Sequence, residues 1–277
     1  MHALGAALGW LTWLGSGNFR ARMSANVART GLPPAAARAS IAHSGRMVAE
    51  LPYLWLRAQD SLLGERVQWQ GRELVDAALA RGKGLIIVTP HLGAFEAIAQ
   101  SYAEQWGRTH PMTALYRPAR KPWLAELVAG SRARPGLLTA PANLAGVRLM
   151  IRSLKQGDCV GLLPDQVPPE GQGVWAPWFG QPAYTMTLLA RLIQQTGCTW
   201  LAVWCERLPG GRYLIRAAEP PAALPAGGNA AECAAVINQA MEQLILQAPG
   251  QYLWSYQRYK QPRPADTAAA TAAKDKA

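Results

Sequence analysis

The stretch Leu85-Ile86-Ile87-Val88-Thr89-Pro90-His91-Leu92-Gly93-Ala94-Phe95-Glu96 decides how the rest of the chain is read. Its first four residues form a short apolar run rich in β-branched side chains without alternation, the pattern of a strand covered on both faces. Pro90 fixes the backbone where the run ends, and Gly93 allows chain or substrate to approach closely. A helical pattern follows over 92–106. In an open α/β sheet such a strand end borders the crevice where ligands bind.

Working outward, the same alternation recurs. Strands are expected at 112–116, 159–163, 199–206 and 213–217. Helices are expected at 35–63 (kinked or restarted at Pro52), 73–80, 123–130, 145–154, 188–195 and 232–247. The Pro- and Gly-rich stretch 164–180 reads as a loop. Strands alternating with helices predict an α/β fold, a mixed and mostly parallel central sheet flanked by helices.

Composition sets the bounds. With 277 residues, 50 % hydrophobic and 16 % charged, the chain has ample material for a core and is neither disordered nor fibrous. Lys and Arg number 28 against 17 Asp and Glu, a net charge of +11 that calls for an acidic partner. Nucleic acid is not expected, because the basic residues are scattered and no groove-reading motif appears. Cys159, Cys198, Cys205 and Cys233 show no zinc or redox spacing and read as small buried hydrophobes of a reducing compartment. His2, His43 and His110 make no metal-ligand spacing with His91, so no metal is expected.

Residues 3–19 carry no charge. The stretch is shorter than the roughly 20 apolar residues that span a bilayer, and it lacks the basic start and cleavage site of a secretory signal. As a helix, Leu4, Leu8 and Leu11 share a face that Trp10 and Trp13 do not. The preferred reading is a membrane-associated helix lying in one leaflet, followed by Arg20, Arg22 and Arg29; a buried N-terminal helix is the alternative.

His91 and Glu96 are the candidate chemistry. Five residues apart on one helix they would diverge by roughly 140°. They meet only if His91 lies in the turn before the helix and Glu96 in its first turns. Glu96 then holds one imidazole nitrogen, and the other takes a proton from a substrate hydroxyl. Arg117, just past a strand end, is placed to hold phosphate. Asp165 and Gln166 follow another strand and are candidates for positioning Arg117 or a substrate hydroxyl, with a turn-capping Asp as the alternative. Arg148 and Lys155 lie near that block, and Trp175, Trp178 and Phe179 form a cluster suited to an apolar groove, a lipid contact or core packing.

The segment Thr89 to Glu96 resembles the His-x4-Asp/Glu signature of the lysophospholipid acyltransferase superfamily, and more closely its lipid A biosynthesis late acyltransferases. Three further blocks match in order: Leu115-Tyr116-Arg117-Pro118; Lys155-Gln156-Gly157-Asp158 leading to Gly161-Leu162-Leu163-Pro164-Asp165-Gln166; and Trp178-Phe179-Gly180-Gln181-Pro182-Ala183. The resemblance implies a glycerolipid acyltransferase-like fold. It implies transfer of a fatty acyl chain from acyl carrier protein to a hydroxyl of an anionic membrane lipid, a lipid A precursor, at the cytoplasmic face of the bacterial inner membrane. His91 would be the general base and Glu96 its partner, with Gly93, Arg117, Asp165 and Gln166 on the substrate and no cofactor or metal. Residues 1–19 would form the membrane-associated helix, 20–261 the acyltransferase domain and 262–277 a disordered tail. The usual closing pattern, Trp-x-His-x-Arg-aromatic-Lys, here reads Trp254-Ser255-Tyr256-Gln257-Arg258-Tyr259-Lys260. Tyr256 in place of His leaves a lysophospholipid or ornithine-type lipid open as acceptor, or a non-catalytic lipid-binding protein.

Overall fold

A computed structural model describes residues 1–116 and 134–264. The expected helix at 123–130, Arg117 and most of the expected tail lie outside the described residues. The elements, in chain order, are helices α1 (His2–Gly15), α2 (Gly17–Ala28) and α3 (Pro34–Leu56), strand β1 (Val67–Gln70), α4 (Arg72–Ala80), β2 (Leu85–Val88), α5 (Phe95–Trp106), β3 (Met112–Tyr116), β4 (Leu137–Pro141), α6 (Leu144–Lys155), β5 (Cys159–Leu162), β6 (Gly173–Trp178), β7 (Gln181–Met186), α7 (Leu188–Thr196), β8 (Thr199–Arg207), β9 (Tyr213–Ala218) and α8 (Ala230–Gln247).

Seven strands form one sheet in the order β1-β9-β8-β2-β5-β3-β4, and β6 and β7 make a separate hairpin. Among the described residues only β8 and β9 pair antiparallel within the large sheet, and its other pairings are parallel. The run 85–88 sits at the centre, between β8 and β5, and all four side chains are buried. Leu85 and Ile87 face one core with Val75 and Leu79 of α4 and Ile98 and Tyr102 of α5. Ile86 and Val88 face the other, with Met150 and Leu154 of α6, Leu189 and Leu192 of α7, and Ile237 and Met241 of α8. Helices thus cover both faces of the sheet, the arrangement that parallel strands require.

The elements that differ from expectation are instructive. Residues 92–94 are not helical: Leu92 bridges Tyr252, Gly93 bridges Cys205, and α5 begins only at Phe95. The stretch expected as a loop, 164–180, contains β6 and the turn that joins it to β7, with Pro177 paired to Pro182. Two strands alone leave each an open edge where a missing N–H is harmless. At its tip Phe179 and Gly180 have φ of 47° and 73°, the left-handed backbone of a tight two-residue hairpin.

The N-terminal segment folds as α1 against α3. Gly5 and Gly9 of α1 meet Gly45 of α3 so closely that a methyl group on any of them would run into the opposing backbone. Trp10 and Trp13, their rings edge to face with centroids 5.7 Å apart, pack toward the core. Leu4, Leu8, Leu11 and Leu14 remain 65 %, 43 %, 63 % and 64 % exposed, an apolar ridge facing away from the protein. Among the described residues no helix is long and apolar enough to cross a membrane. The four cysteines are buried and form no disulfide.

Candidate active site

Strands β2 and β5 are parallel neighbours in register Val88↔Leu162, and the Thr89 N–H continues the ladder by donating to the Leu162 carbonyl at 3.1 Å. Three residues past each member of that pair stand His91 and Asp165. The register therefore sets them side by side, each immediately after a proline. His91 Nδ1 lies 2.8 Å from Asp165 Oδ1, and the His91 backbone N–H donates to Asp165 Oδ2 at 2.9 Å. The Tyr252 hydroxyl donates to the same Oδ2 at 3.2 Å. The carboxylate side chain is 2 % exposed and the imidazole 17 %, so the ring reaches a surface that its partner does not.

The other ring nitrogen, Nε2, faces the side-chain amide of Gln166 at 3.1 Å. With the Nδ1 proton directed at Asp165, Nε2 is a lone-pair acceptor. Phe95 stacks edge on against the ring at 4.8 Å.

Electrostatics follow from this geometry. Burial alone would pull the His91 pKa down, but the Asp165 charge and hydrogen bond outweigh it, with Glu96 adding to them, and the pKa lies above its ordinary value. Burial would raise the Asp165 pKa, but the His91 charge and its two hydrogen bonds, with Arg258 behind them, hold it below the usual carboxylate range. The two sites titrate as one coupled pair.

The expectation that Glu96 holds the ring is therefore corrected. The non-helical turn at 92–94 sets Glu96 in the first turn of α5, where it accepts a hydrogen bond from Trp55 Nε1 at 3.3 Å, and Asp165 takes Nδ1. Glu96 acts on the imidazole through its charge. At Gly93, with φ of 60°, the close approach is by the protein itself: the Cys205 carbonyl lies where a side chain would stand.

The turn that presents His91 is held on several sides. Gly93 N–H donates to the Gln251 carbonyl at 3.1 Å, Ala94 N–H to the Cys205 carbonyl at 2.9 Å and Leu253 N–H to the His91 carbonyl at 3.1 Å. Arg207, at the end of β8, donates to the Gly93 carbonyl at 3.0 Å and pairs with the buried Glu50 of α3. Such second contacts fix a reacting group without touching substrate.

Tyr252, Arg207 and the Asp165–His91 pairing escape a linear reading, though one signal was present. Leu162-Leu163-Pro164-Asp165 repeats the strand, spacer, proline and ionisable residue of Val88-Thr89-Pro90-His91. Tyr256, at the position of the expected His, accepts the Val167 N–H at 2.9 Å and so braces the segment after Gln166. Trp178 and Trp254 are core residues, whereas Trp175 is 43 % exposed.

Residues 24–261 match the family model described as bacterial lipid A biosynthesis acyltransferase. The chain is similar to the lipid A biosynthesis lauroyltransferase of Escherichia coli K12, 26 % identical over 217 residues, which is 78 % of this chain and 68 % of that one. It is 26 % identical over 197 residues to a lipid A biosynthesis acyltransferase of Haemophilus influenzae, covering 70 % of this chain and 59 % of that protein. It is 26 % identical over 207 residues to the E. coli K12 lipid A biosynthesis palmitoleoyltransferase, covering 73 % and 64 % respectively. The match thus spans between 59 % and 68 % of the length of these relatives.

Proposed function

The chain belongs to the bacterial lipid A biosynthesis acyltransferase family, and from that premise we propose that it moves a fatty acyl chain from an acyl carrier protein thioester to a hydroxyl of a lipid A precursor. The observation that carries this reading is the buried Asp165 bonded to Nδ1 of the partly exposed His91, a base with its orienting acid whose second nitrogen, Nε2, meets only the exchangeable amide of Gln166.

The steps are those of acyl transfer with the acceptor as nucleophile. The acceptor hydroxyl takes the place of the Gln166 amide and donates its proton to His91 Nε2. The oxygen attacks the thioester carbonyl, the C–S bond breaks, and the imidazolium returns its proton to the departing thiolate. Asp165 holds the ring in the tautomer this requires and stabilises the imidazolium; Glu96 adds negative charge to the same end. A positioned base of this kind contributes about 10²- to 10⁴-fold. The net charge of +11 suits both an acidic carrier protein and an anionic lipid. The leucine ridge of α1 supports peripheral attachment to a membrane, and on this reading the reaction runs at the cytoplasmic face of the inner membrane.

The test is to incubate the purified protein with acyl carrier proteins of graded chain length and a lipid A precursor in detergent, and to follow products by mass spectrometry. The expected product is the precursor plus one acyl chain, with free carrier thiol released in step. Acylation of a lysophospholipid alone would overturn the acceptor, and no transfer to either would overturn the reading.

A further inference from the structure

Helix α2 carries Asn18, Arg22 and Asn26, and Arg29 is its C-cap; the spacings of four, four and three place them on one face. Opposite that face runs the C-terminal segment with Gln257, Tyr259 and Lys260, and the two enclose a cleft of about 380 Å³. That volume is at the small end of ligand pockets. Three cationic side chains converge on it, and among the described residues that line it none is acidic. His91 is not among its walls, so the cleft is separate from the candidate active site.

The cleft has fixed walls. Asn26 is buried and its amide donates to the carbonyls of Trp254 and Tyr256 at 2.7 and 2.6 Å, tying α2 to the C-terminal turn. The Arg29 guanidinium lies 4.6 Å from the centre of the Tyr259 ring, which holds it without neutralising its charge. Among the described residues neither Arg22 nor Arg29 forms an ion pair. The guanidinium groups of Arg22 and Arg29, beside the side-chain amides of Asn18 and Gln257 and with no carboxylate among the described lining residues, suit a phosphate group, which guanidinium binds by paired hydrogen bonds. The position also suits a lipid source, since α2 continues directly from α1 with its exposed leucines.

We propose that this cleft binds the phosphate monoester of an anionic lipid headgroup. The inference deepens the proposed function and rests on it for the lipid source of the phosphate. Asn26 in the cleft wall donates to the Tyr256 carbonyl, and the Tyr256 hydroxyl accepts the Val167 N–H, so one residue links the cleft wall to the segment that carries Gln166 to His91.

The test is vesicle co-sedimentation of the full chain without acyl donor. The vesicles are phosphatidylcholine containing either phosphatidic acid or phosphatidylserine, matched in surface charge. Wild type is expected to prefer phosphatidic acid by about tenfold, and the Arg22→Gln/Arg29→Gln double variant to lose that preference at an unchanged melting temperature. A wild type without preference, or a variant that keeps it, overturns the site. Titration with inorganic phosphate forms the second arm. Binding of free phosphate that the double variant loses, with no preference among vesicles, overturns the lipid source. Because binding is read without turnover, failure here is distinguishable from failure of acyl transfer.

Discussion

At the scale of single residues, the contact between His91 and Asp165 makes definite demands. Asp165→Asn removes the two largest influences that lift the His91 pKa and leaves only the Glu96 charge to oppose burial. The acid limb of the kcat/KM–pH profile, which reports deprotonation of the base, should move to lower pH, and the plateau should drop by about 10²- to 10⁴-fold. Glu96→Gln should shift the limb in the same direction by less, because its charge is a smaller influence on the ring than Asp165. Profiles of the two variants side by side check this; a limb unmoved by Asp165→Asn contradicts it. His91 is legible in the sequence because a buried strand, a proline and a helix frame it within a dozen residues. Its partner is not legible there, because Asp165 reaches it only through the register of two strands far apart in the chain. A carboxylate near in sequence is the natural choice, and the non-helical turn at 92–94 sets it elsewhere.

At the scale of elements, α1 has two faces with different fates. Its glycines pack on α3, so Gly45→Val should drive the helices apart and make the N-terminus sensitive to limited proteolysis. Its leucines touch little of the protein, so Leu4→Ser/Leu8→Ser/Leu11→Ser should leave the melting temperature within a degree or two while weakening vesicle binding by about tenfold or more. Equal vesicle binding by that triple variant would place the attachment elsewhere. Elements with a strong apolar pattern were legible in the sequence, β2 by its unbroken apolar run and α6 by its helical period. The edge strands β1 and β4 were not, since Val67-Gln68-Trp69-Gln70 is short and half polar and β4 ends in Pro141. The β6–β7 hairpin was hidden by its prolines and by a Phe at a left-handed turn position that usually takes Asn or Gly.

At the scale of the whole molecule, a buried polar cluster joins the N-terminal helices to the sheet. Arg207 of β8 bonds Glu50, His43 and the Gly93 carbonyl, and His2 of α1 stands 3.4 Å from Glu50. Glu50→Ala leaves a buried guanidinium without its counter-charge and should destabilise the fold by about 3–5 kcal/mol in chemical denaturation. Burial, with Arg207 and Arg46 beside it, lowers the His43 pKa from 6.5 to about 3. The unfolded chain therefore binds this proton more readily, and stability should fall as pH drops from about 6.5 toward 3. His43→Gln should flatten that part of the stability–pH curve; an unchanged slope would remove His43 from the account. The layered α/β plan was legible from alternating apolar runs, but this cluster was not, because its members come from three distant elements and carry no shared motif.

The central claim is that the imidazole of His91 removes the proton of the acceptor hydroxyl, and single-turnover acyl transfer by purified His91→Ala tests it most directly. The account predicts a loss of at least about 10²-fold at an unchanged melting temperature. Transfer at close to the wild-type rate would contradict it.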